Sequence, residues 1–84
     1  MEIDNSHTEL GAAVASIREE LARLPTTPLA SPREGYVAIL SEVDKMWAEL
    51  QQDRKLFLRP AARKIAAAAI RFMLDCTPTP EDPA

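Results

Sequence analysis

A chain of 84 residues is long enough for one domain and too short for two with separate cores, and 46% hydrophobic against 27% charged residues marks a folded domain rather than a disordered one. Its single cysteine excludes an internal disulfide and a paired-cysteine zinc site, and ten basic against thirteen acidic residues argue against a general nucleic-acid binder. No apolar run reaches the roughly 18 residues of a membrane span, and the acidic start lacks the basic residues of a signal peptide, so a soluble cytoplasmic protein with no membrane partner is expected.

Residues 1–5 read as a flexible N-terminus, and Ser6-His7-Thr8-Glu9 fits a capping box. A first helix is predicted over about 7–24, with Leu10, Val14, Ile17, Leu21 and Leu24 in one apolar stripe and Arg18, Glu19, Glu20 and Arg23 mostly off it. Pro25 ends it, because the residue before a proline avoids the α region. Ser31-Pro32-Arg33-Glu34 then opens a second helix over about 32–52, by the same cap logic with a proline in the first turn. Tyr36, Ile39, Leu40, Val43, Met46, Trp47 and Leu50 hold helical spacing around a wide arc of it. Gly35, in the first turn, leaves room for another backbone to come close.

Gln51 to Arg59 reads as a polar helix end and a linker, in which Leu56-Phe57-Leu58 either folds back on the core or forms a docking patch. Pro60 starts a third helix over 60–76, where Ala61, Ala62, Ala66, Ala67, Ala68 and Ala69 surround Ile65, Ile70, Phe72, Met73 and Leu74. Such small side chains predict close packing on more than one side. Residues 77–84, with three prolines and two acids, read as a disordered tail. The expected fold is an all-α bundle of three helices in a single domain, 6–76. The second and third helices are too apolar to be satisfied within one chain, so a homo-oligomer, dimer or tetramer, is expected, with Tyr36, Ile39, Val43, Trp47, Leu50 and Phe72 in the core or the interface.

The segment Gly35-Tyr36 through Ser41-Glu42-Val43-Asp44-Lys45-Met46-Trp47 resembles the small MazG-like proteins of the all-α nucleoside triphosphate pyrophosphohydrolase superfamily, found in bacteria and phages. The alanine-rich Ala66-Ala67-Ala68-Ala69 with Ile70-Arg71-Phe72 is similar to the last helix of that group, and the likeness spans about residues 31–75. The resemblance implies a three-helix MazG-like bundle and, in active members, magnesium-dependent release of pyrophosphate. Hard Mg²⁺ wants near-octahedral oxygen ligands, supplied by carboxylates on facing helices. By the resemblance the acidic motif positions fall on Ser41, Glu42, Lys45, Ala61 and Lys64, of which Glu42 alone keeps a carboxylate. Lys45 and Lys64 carry the opposite sign, and Glu49 lies two turns from Glu42, roughly 10 Å along the axis.

The leading expectation is therefore a catalytically degenerate helical module with no catalytic residue and no cofactor, acting through protein interaction or regulation. The alternative enzyme would use Mg²⁺ on Glu42 and Glu49 with carboxylates of another subunit. A third reading is a nucleotide sensor in which Lys45, Lys64 and Arg71, with Arg63, hold phosphates as point charges and forks. Lys45 and Lys64 read first as solvated surface lysines, with a Glu42–Lys64 pair across the helices in place of the metal as the alternative. His7 reads as a surface residue near a helix start, and Cys76 as an ordinary thiol, since neither has a partner for acid–base or nucleophilic work.

Overall fold

The computed structural model describes residues 5–78. Within them the chain forms α1 (Asn5–Arg23), α2 (Pro32–Gln51), a 3₁₀ turn (Lys55–Phe57) and α3 (Leu58–Cys76), with no strand. The expected flexible N-terminus at 1–5 and the tail from residue 79 onward lie, apart from Asn5, outside the described residues, as do the side chains of Ser6 and His7. Ser6 falls inside α1 rather than before it.

Local chemistry sets the boundaries. α1 stops at Arg23, where the Leu24 amide donates to the Leu21 carbonyl, just ahead of Pro25. Ser31 caps α2 by accepting from the Glu34 amide at 3.1 Å. Glu34 reaches back as a capping box requires, but its Oε1 accepts from the Ala30 amide at 2.7 Å, one residue beyond the cap. At the other end Asp53 adopts a left-handed φ of 55°, and the Arg54 amide closes on the Glu49 carbonyl at 2.9 Å. α3 begins two residues earlier than Pro60 predicts. A proline fits the first turn because amides there have no intrahelical acceptor, so the 3₁₀ turn runs straight into Leu58.

The alanines of α3 do what their size predicts. α3 packs against both α1 and α2, while among the described residues α1 and α2 do not pack on each other. Gly35 of α2 lies at Phe72 and Cys76, and Glu49 lies in one crevice with Pro60 and Ala61, so α2 runs antiparallel to α3. Glu20 pairs with Arg63, and Leu24 lies near Arg71, so α1 runs parallel to it. Ala67, at 1% exposure, is the deepest apolar residue. The close neighbours of Gly35 are side chains rather than backbone: an added Cβ would stand 2.6 Å from Phe72 Cδ2 and 3.0 Å from Cys76 Sγ.

One expectation needs correction. The face of α1 that meets α3 is rotated from the predicted stripe: Glu20 is 92% covered, at 8% exposure, while Leu10 and Val14 are exposed. Arg63 on α3 explains the rotation, because its guanidinium stands 3.5 Å from the Glu20 carboxylate and Arg23 reaches the same oxygen. Of the residues expected in the core or an interface, the aromatics of α2 lie outside the core of the chain. Tyr36 is 60% and Trp47 59% exposed, and Val43 and Leu50 are exposed with them, whereas Ile39 and Phe72 are half-buried. No helix of the described residues is long and apolar enough to cross a membrane.

Candidate functional site

Gly35, Ala38, Ile39, Glu42, Met46 and Glu49 recur at three- and four-residue steps, which turns all of them toward α3. Four of the five positions to which the resemblance assigns an acidic motif meet there. Glu42, Lys45, Ala61 and Lys64 line one crevice of about 120 Å³ with Glu49, Phe57 and Pro60, and a second of about 100 Å³ joins Glu42 and Lys64 to Glu20, Ala67 and Arg71. Ser41 is elsewhere, in a shallow groove on the outer side of α2 with Val37, Leu40 and Asp44.

The charges in the crevice are compensated by neighbours on the same stretch of chain. Glu42 Oε2 stands 3.6 Å from Lys45 Nζ, one turn on, and makes no bridge to Lys64 among the described residues. The i,i+3 spacing brings Lys45 over Glu42 within α2, whereas Lys64 is exposed and makes no ion pair among the described residues. Glu49 Oε1 stands 3.2 Å from Arg54 Nε, and the same guanidinium lies 4.2 Å above the Phe57 ring. The Leu56-Phe57-Leu58 knot is thus divided: Phe57 lines the crevice and is stacked by Arg54, Leu58 is half-buried, and Leu56 is exposed.

Mg²⁺ does not fit this donor set. Each crevice carboxylate already has a cation, Lys64 adds a third positive group, and no three His, Cys, Asp or Glu among the described residues stand close enough to hold a metal. Both crevices are also smaller than the roughly 300–1,000 Å³ of small-molecule sites.

No family model, curated protein or solved structure matches this chain. The reading of the site therefore rests on its own geometry.

Arg71 has a clear structural task. Its guanidinium donates to the Thr27 carbonyl and to Asp75 Oδ2 at 3.2 Å, and Asp75 in turn accepts from the Leu29 amide at 3.1 Å. Those bonds tie the α1–α2 loop to the end of α3. Arg63 is likewise committed to Glu20. Cys76 is half-buried, with Sγ donating to the Ser31 carbonyl at 3.5 Å, so the last turn of α3 also touches the α2 cap.

Glu20 is the residue that sequence reasoning passed over. Its position off the apolar stripe placed it in solvent, and only Arg63, 43 positions later, makes its burial intelligible. Surplus apolar surface on α2 was legible in the sequence, but not which of its faces α3 leaves uncovered. Tyr36, Leu40, Val43, Trp47 and Leu50, at alternating four- and three-residue steps, form a continuous exposed stripe, flanked by Val37. It lies about a quarter-turn round from the α3-facing positions, and no other element among the described residues covers it.

Proposed function

We propose that this chain is a catalytically degenerate, MazG-like helical module that acts through association with protein rather than through nucleotide chemistry. The observation that carries the reading is the exposed stripe on α2. Two aromatics and three aliphatics in one row on a single helix are more contiguous apolar surface than a solitary domain normally shows to water. Its physical consequence is a strong gain on being covered, about 25 cal/mol for each Å² of apolar area removed from water.

The crevice supports the same reading from the chemical side. Carboxylates that would have to bind a cation already neutralise Lys45 and Arg54. A magnesium–triphosphate complex would have to displace both pairs and then sit beside Lys64.

The test is pyrophosphate release over a panel of ribo- and deoxynucleoside triphosphates with excess Mg²⁺, for the native chain and for Glu42→Ala. The expected result is no turnover by either and no change of melting temperature on adding Mg²⁺ or nucleotide. Turnover that disappears in Glu42→Ala would replace this reading with that of a metal-dependent pyrophosphohydrolase. A rise in melting temperature with nucleotide but no turnover would replace it with that of a sensor.

A further inference from the structure

We infer that the α2 stripe is covered by the same stripe of a second copy of this chain, the two helices running antiparallel with the two-fold axis near Val43. The inference rests on the reading above and names its partner.

Area is the first argument. Aromatic side chains present about 150–250 Å² each, so at the observed exposures Tyr36, Val37, Leu40, Val43, Trp47 and Leu50 leave roughly 600 Å² uncovered per copy. Complete covering of two such faces would remove at most roughly 1,200 Å², which reaches the lower bound of a stable specific interface.

Pattern is the second. Steps of four, three, four and three keep the stripe straight along a partner helix, which is the seam spacing of paired helices. The row is also close to symmetric about Val43. Tyr36 and Leu50 stand seven residues to either side, and Leu40 and Trp47 stand three and four. A two-fold contact requires such self-complementarity, each position meeting its mirror position on the other copy.

Charge chooses the direction. Arg33 is exposed at the start of α2 and Asp53 is exposed just past its end. An antiparallel pair brings Arg33 toward the partner's Asp53, and opposes the two helix dipoles favourably. A parallel pair would set Arg33 against its own copy and align the dipoles side by side.

The experiment measures molar mass by sedimentation equilibrium over a wide range of concentration, with helix content followed by circular dichroism. The expected mass is twice the 9.3 kDa of the chain. Leu40→Glu and Trp47→Glu should each halve it at unchanged helix content, because both side chains are exposed in the single chain. Direction is read by air oxidation in a Cys76→Ser background. Val43→Cys should give a disulfide-linked dimer. Leu50→Cys should give none, because the antiparallel arrangement holds the two copies of position 50 about 20 Å apart. A native chain that stays at single-chain mass at the highest concentration overturns the inference, as does mass unchanged by both glutamates, and cross-linking through Leu50→Cys overturns the antiparallel direction. Single-chain mass without nucleotide turnover would leave the interaction reading standing with another protein as its partner. Turnover dependent on Glu42 would remove that reading whatever the mass.

Discussion

Gly35 and Glu20 are the two positions where one residue decides how helices meet. At Gly35 a methyl group would press into the Phe72 ring edge, and Cys76 blocks the other side. Gly35→Ala gains about 1 kcal/mol of helix propensity, but the overlap of α2 with α3 costs more. A net loss of about 1–2 kcal/mol is expected, seen as a melting temperature lower by roughly 5–10 °C. An unchanged or raised melting temperature would mean that α3 shifts away without cost. Glu20 shows the opposite kind of control. Its carboxylate is buried because Arg63 and Arg23 meet it, and the α1 face is rotated to allow this. A glycine in a first turn could be read as a place of close approach, but nothing local identifies Phe72 as the neighbour. A glutamate between a half-apolar and a polar face could not be read at all without Arg63.

At the scale of elements the helices follow signals that act over three or four residues. Ser31 and Glu34 start α2, prolines bound the first loop, and alanines allow α3 to be packed from two sides. The differences lie at ends where a turn can be extended. α3 takes in Leu58 and Arg59 because Pro60 needs no donor in the first turn. The end of α2 carries a cost that substitution can relieve, since Asp53 occupies a left-handed conformation suited to glycine. Asp53→Gly is expected to stabilise the chain by about 0.5–1 kcal/mol, measured by urea unfolding at unchanged slope. If the variant is less stable, the Asp53 carboxylate contributes more than the backbone strain costs. The same change removes the charge proposed to face Arg33, so it should be compared at concentrations where the chain is a single copy.

For the whole molecule the controlling fact is that α3 takes the centre and leaves one face of α2 bare. A three-helix chain of this size buries little: Ala67 is its one fully apolar buried residue among those described, and none of its large side chains is completely covered. If two copies pair as proposed, the pairing adds to stability, and by mass action the melting temperature should rise with protein concentration. The native chain should show that rise, and Trp47→Glu should melt at a lower temperature that does not depend on concentration. A concentration-independent native melting temperature would mean that the single chain is stable with its stripe in water.

By itself the sequence determined the helical class, the three segments to within about two residues and the α2 cap. Those depend on hydrogen bonds and side-chain spacing within one or two turns. The tertiary structure decided which apolar face of α2 is spent on α3 and which is left exposed, that Glu42 turns to Lys45 rather than Lys64, and that Glu20 is buried. Each of these is a competition between partners far apart in the chain, and it is settled only when α3, thin enough in its alanines to be packed from both sides, lies between the other two helices.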